Sequence, residues 1–137
     1  KVVTNGNDDG IGSLRFAIAQ CSNPEDYIYI AEFIDSIFLV SDTIILDKNL
    51  SIFHSGNEKV VIQTTSSSPV FKTNPGVLIT LNNIEIHSGG VASSKALLNN
   101  GNTILWNVDI INSIPGEIPV MNTGILEISE TVQIKNQ

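Results

Sequence analysis

The sequence predicts an all-β chain folded as a right-handed parallel β-helix of about five coils behind a short N-terminal capping helix. Three observations predict it: a composition of strand and turn formers, a hydrophobic period of two, and a 24-residue recurrence. The 137 residues include 21 Ile, 11 Val and 10 Leu but only 5 Ala, while Asn, Ser and Thr add 15, 14 and 9. β-Branched side chains fit a pleated surface, and scarce Ala argues against extended helix. With 42 % apolar and 15 % charged residues the chain is expected to pack a core. Its length supports one domain spanning 1–137.

The period is 3.6 only near the start. Asp8-Asp9-Gly10-Ile11-Gly12 reads as a turn, Ser13 as the N-cap, and Leu14, Ala17, Ile18 and Cys21 as one face of a short helix ended by Asn23-Pro24. Residues 1–23 are therefore assigned to a cap and 24–137 to coils. Cys21, on the apolar face, reads as a small buried residue. Arg15 is expected to tie the Asp8-Asp9 turn to the helix by bidentate hydrogen bonds.

Beyond the helix the period changes to two: Ile28 and Ile30, then Ile37 and Leu39, then Ile44 and Leu46, then Leu50 and Ile52 stand at alternate positions. The triplets Val60-Val61-Ile62, Ile84-Glu85-Ile86, Val108-Asp109-Ile110 and Val132-Gln133-Ile134 then recur every 24 residues, beside Asn74-Pro75-Gly76, Asn99-Asn100-Gly101 and Asn122-Thr123-Gly124. The interval from each of these glycines to the next Ile of the series is 10, 9 and 10 residues, so one corner holds an extra residue or bulge. At about 3.3 Å per residue a coil of 24 traces roughly 80 Å, enough for two or three short strands. Stacked coils pair each strand with its equivalent, and such crossovers are right-handed. The helix would cover the first open edge.

The residues Asp9-Gly10-Ile11-Gly12-Ser13-Leu14-Arg15-Phe16-Ala17-Ile18 resemble the D-x-G-x-GSLR-x-AI opening of bacterial extracellular β-helix proteins, the polymorphic-outer-membrane-protein-like surface proteins and large adhesins. Asp26–Ile30 and Lys48–Gly56 are similar to the two strands that follow in that group, Asn99–Ile110 to its N-x-GTLTL-x-NVTI coil, and Phe71-Lys72-Thr73-Asn74 to its Phe-x-x-Asn motif. Gly89-Gly90-Val91-Ala92 only approximates the group's Gly-Gly-Ala-Ile. The resemblance spans nearly the whole chain. It implies a secreted or cell-surface setting, a structural cap built from Asp9, Ser13, Leu14, Arg15 and Ile18, and a segment that begins a longer surface protein. It does not choose among adhesins, stalks and lyases.

Charge narrows the partners. A net charge of −7, with no Lys/Arg cluster, disfavours nucleic acid and anionic membrane surfaces. No apolar run is long enough to span a bilayer, so no membrane insertion by this segment is expected. One cysteine excludes an intrachain disulfide, and the opening Lys1-Val2-Val3 reads as a processed or engineered start.

Glu85, Asp109 and Gln133 form an outward column at the 24-residue spacing. Two acids about 4.8 Å apart are either solvated or bridged by a cation, for which Ca2+ is the natural choice. The solvated reading is preferred, and no cofactor or metal site is assigned. Asn83, Asn107 and Thr131, one residue before each strand, suit a corner ladder of side-chain hydrogen bonds. His54 and His87 do not share the period, which argues against zinc. Trp106, the single Trp, either fills the coil or stacks outward on a sugar ring, and Tyr27 and Tyr29 form a second aromatic pair.

Two functions compete: a non-catalytic adhesin-like module presenting a binding face, with Trp106, Glu85 and Asp109 as candidate binding residues, to glycans or proteins, and a polysaccharide lyase or glycoside hydrolase. The acids Glu25 and Asp26, Glu32 and Asp35, Asp42 and Asp47, and Glu127 and Glu130 are scattered rather than paired beside a base. No catalytic residue is assigned, and the module is preferred. The apolar strands at the C-terminal side, with no cap signal after Ile134, suggest end-to-end self-association through 125–137.

The register places Ile110 in an interior column. Ile110→Asp is expected to bury an unpaired charge and cost on the order of 4 kcal/mol or more. A cooperatively folded Ile110→Asp variant in a thermal melt would count against the register.

Overall fold

The computed structural model describes residues 1–23 and 26–136, and it is a parallel β-solenoid of about six turns with one short helix. Each turn has three sides. On the first, β2 (Asp26–Ile30), β5 (Leu50–His54), the leading half of β8 (Leu78–His87), the leading half of β10 (Asn102–Asn112) and β12 (Ile125–Ile128) lie parallel in sequence order. On the second, β3 (Ser36–Leu39) and β6 (Val60–Thr64) precede the trailing halves of β8 and β10, and then β13 (Gln133–Asn136). The third stacks β4 (Ile44–Leu46), β7 (Phe71–Thr73), β9 (Leu97–Asn99) and β11 (Val120–Asn122).

The predicted columns are the rungs of this stack. Ile62 pairs with Ile86, Ile86 with Ile110 and Ile110 with Ile134. The first three are wholly buried, whereas Ile134 is 38 % exposed because β13 has a neighbour on one side only among the described residues. Ile28, Ile30, Ile37, Leu39, Ile44 and Leu46 are likewise interior. Alternation at period two puts every second side chain inside, and parallel stacking brings the same position of the next turn over it.

The count rises from about five coils to about six turns because the N-terminal residues trace a turn of their own. Val2 and Val3, read from sequence as a processed start, form β1 (Val2–Val3) and pair with Tyr29 and Ile30. Phe38 N–H then donates to Gly6 O (3.3 Å), and α1 (Leu14–Gln20) closes the turn beside the third side. Ser13 Oγ accepts from Phe16 N–H (3.1 Å), as expected of an N-cap. Leu14, Ala17, Ile18 and Cys21 are buried on one helix face. Burial pushes the Cys21 thiol pKa up, consistent with a packing role. Pro24, assigned from sequence as the helix terminator, lies outside the described residues.

Arg15 is the clasp. Its Nη2 donates to Asp8 Oδ1 (2.9 Å) and Asp42 O (2.6 Å), its Nη1 to Thr43 O and its Nε to Asp8 O (both 3.3 Å). The carboxylate that pairs with Arg15 is thus Asp8. Asp9, assigned to the cap from sequence, instead accepts from Gly10 N–H in its own turn (2.7 Å). Lys48 Nζ donates to Ile18 O (3.2 Å) and Cys21 O (2.9 Å), tying the helix end to the next turn.

The corners explain the rest of the recurrence. Asn83, Asn107 and Thr131 have φ of 59°, 53° and 55°, and these left-handed residues bend the chain from the first side to the second. Their side chains stack as predicted: Thr131 Oγ1 donates to Asn107 Oδ1 and Asn107 Nδ2 to Asn83 Oδ1, each at 3.0 Å. Asn83 Nδ2 ends the ladder on the carbonyls of His54, Gly56 and Glu58. A second ladder, at the end of the third side, joins the side chains of Thr73, Asn99 and Asn122. The irregular Gly spacing has two sources. The turn Asn74–Val77, where Gly76 has φ of 83°, holds two more residues than Asn100–Gly101 and places Val77 rather than Gly76 under Gly101. The corner between Ile128 and Gln133 holds one more residue than that between Leu105 and Asp109.

Burial pushes the Asp8 carboxyl upward. The hydrogen bonds from Ser41 and Arg15, with the Arg15 charge, outweigh it and hold the pKa below the ordinary carboxylate value. A lowered pKa gives stability that is complete above the ordinary value of about 4 and is lost as pH falls through the lowered one. Asp8→Asn is therefore expected to cost about 1–2 kcal/mol at pH 7, with the difference from the unmodified chain vanishing in strong acid. Urea midpoints across pH check this, and a pH-independent difference would contradict it. Thr131 is a β-branched residue in a region that Asn tolerates far better. Thr131→Asn should keep the ladder and raise stability by about 1 kcal/mol, seen as a melting point about 3 °C higher. A lower melting point would contradict the strain.

Candidate ligand-binding face

The outward residues of the first side make the most structured surface. Tyr27 and Tyr29 of β2 point away from the core, and Tyr29 pairs in register with Phe53, Phe53 with Asn82, and Asn82 with Trp106. One column of the sheet thus reads Tyr29, Phe53, Asn82, Trp106 on successive rungs, roughly 4.8 Å apart. Its neighbour reads Tyr27, Ser51, Thr80, Ile104. Trp106 is 47 % exposed, Tyr27 57 % and Tyr29 43 %, so the sequence alternative that put Trp106 outside the coil holds.

The aromatic residues do not form a flat plate. The Tyr29 and Phe53 rings meet edge to face at 4.2 Å between centroids, and Tyr27 meets Phe53 at 6.4 Å and 83°. Tyr27 and Phe53 form a wall beside a depression of about 400 Å³, lined also by Ser51, Ile52, Thr80 and Asn82. A smaller recess of about 150 Å³ shares Tyr27, Ser51 and Thr80 with it. Phe53 was missed in the sequence, although it stands 24 residues after Tyr29.

The acidic column lies on the second side. Asp109 pairs with Glu85 and with Gln133, and Val61 precedes Glu85, as the spacing required. Each acid faces a basic neighbour: Lys59 Nζ lies 3.5 Å from Asp109 Oδ2 and His87 Nε2 lies 3.0 Å from Glu85 Oε2. The structure therefore brings Glu85 and Asp109 together with Lys59 and His87, and does not bring Trp106 to them. Among the described residues no group of three or more His, Cys, Asp or Glu is placed to hold a metal ion.

The other acids remain apart. Asp26 Oδ2 accepts from Ser22 and Asn23 N–H (both 3.0 Å), and Glu32, Asp35, Asp42, Asp47, Glu127 and Glu130 are exposed. Glu25 lies outside the described residues. His54 is buried, with Nδ1 2.8 Å from Glu58 O at a corner. No helix of the described residues is long and apolar enough to cross a membrane. In comparisons with known family models, curated proteins and solved structures, nothing matches this chain.

Proposed function

We propose that the chain is a non-catalytic module of a secreted or cell-surface protein, adhesin-like, that presents the first side of its solenoid to glycans or proteins. The observation that carries this reading is the outward column Tyr29, Phe53, Asn82, Trp106 on a parallel sheet, in which Tyr29 and Trp106 are exposed and Phe53 is half-buried, with the exposed Tyr27 beside it. The exposed rings of Tyr27, Tyr29 and Trp106 cost hydrophobic free energy that a ligand would recover. The resemblance of the cap and coil motifs to bacterial extracellular β-helix proteins of the polymorphic-outer-membrane-protein-like and adhesin type supports the exported setting.

The enzymatic alternative, a polysaccharide lyase or glycoside hydrolase, needs two free carboxylates or a calcium-bound acid beside a base. Glu85 and Asp109 occupy neighbouring rungs, but His87 and Lys59 stand against them, and the aromatic face is on another side of the turn. Binding and chemistry would then be on different surfaces.

The module is expected to be retained on an immobilised polysaccharide or glycoprotein surface while releasing neither reducing ends nor unsaturated products from pectins, alginates and neutral glycans. Product release above a buffer blank, lost on heating the protein, would establish catalysis and overturn this reading.

A further inference from the structure

We infer that the first side binds an uncharged polysaccharide laid along the solenoid axis, with one sugar in the depression between Phe53 and Asn82 and another stacked on Trp106. This rests on the reading of the chain as a binding module and names its ligand class. The depression of about 400 Å³ is of the size that accepts a small organic ring rather than a folded partner. Its walls are aromatic and its floor carries two hydroxyls and an amide, from Ser51, Thr80 and Asn82. Among the described residues these three side chains make no intramolecular hydrogen bond. A pyranose ring has the complementary surface: C–H faces that stack on aromatic rings, and an edge of hydroxyls that donate and accept.

Charge selects among polysaccharides. The outward positions of β5 and of the leading halves of β8 and β10 include no Lys, Arg, Asp or Glu. An anionic chain of uronates or sulfated sugars would meet no cation there, against a protein carrying a net charge of −7. Geometry selects the direction. Tyr29 and Trp106 are three rungs apart, roughly 14 Å along the axis, so stacking positions are spaced for a chain that runs across the strands. Asn82, between Phe53 and Trp106, supplies the one amide of that column.

The test uses the full 137-residue chain with neutral gluco-, xylo- and manno-hexasaccharides and an oligogalacturonate of equal length, measured by calorimetry. The fluorescence of Trp106, the only Trp, reports contact at that ring. At least one neutral hexasaccharide is expected to bind and shift the fluorescence. Trp106→Ala and Asn82→Ala should each weaken it roughly tenfold, while Lys72→Ala on the third side leaves it unchanged. Both first-side substitutions are outside the core, and an unchanged melting curve confirms that they fold. Binding of the oligogalacturonate alone, or equal affinity in Trp106→Ala, overturns the assignment while leaving a binding module. Failure to bind any saccharide overturns it and leaves protein ligands for that module. Recovery of shortened oligosaccharide would instead overturn the non-catalytic reading itself.

Discussion

Parallel backbone pairing between successive turns is the constraint on which the rest of the molecule depends. Each strand finds its hydrogen-bond partners only in the turns before and after it, so every turn must return to the same place about 4.8 Å further along. The interior then receives one side chain per turn at each position, which is why Ile62, Ile86, Ile110 and Ile134 are the same residue. Corners carry all freedom of length. Six residues, His54 to Lys59, join the first side to the second in the turn of β5, where the next turn uses Asn83 alone. At the other corner, backbone stacking is close enough that a Cβ at Gly101 would stand 2.5 Å from Asn74 O.

That division explains what was legible in the sequence. Columns on the second side follow an unbroken period of 24 from Ile62 onward, so strand register, the acidic column and the Asn83–Asn107–Thr131 ladder could all be read from spacing. The first side breaks the period: Phe53 is followed on its column by Asn82, not by a residue 24 further on, because the long corner intervenes. The aromatic column was therefore seen only as separate residues, Trp106 and the Tyr27–Tyr29 pair. Residues 1–7 have no repeat to reveal that they begin the stack, and their place depends on contacts such as Phe38 N–H to Gly6 O. The choice of Asp8 over Asp9 as the partner of Arg15 turns on which carboxylate also reaches Ser41, a residue 33 positions away.

The two exposed surfaces follow different physics. On the second side the Lys59 charge beside Asp109 makes the like charges of Asp109 and Glu85 on adjacent rungs tolerable, and the pair contributes little by itself. On the first side Tyr27 and Tyr29 recover part of their exposure by meeting Phe53. Trp106 stands two rungs from Phe53 with Asn82 between, so no aromatic neighbour shields it on that side.

The clasped first turn also gives the chain a direction of assembly. Arg15 and Lys48 join α1 to residues 42–48, so the earliest turn and its successor are closed by contacts made within the first 48 residues. Each later turn needs only the finished edge of the one before it, at a separation of about one turn in sequence. Order can thus advance as a front from the N-terminal end, each completed edge templating the next stretch of chain. A polypeptide that emerges N-terminus first from a ribosome would meet that front in the sequence in which it is built, with little unpaired strand waiting at any moment.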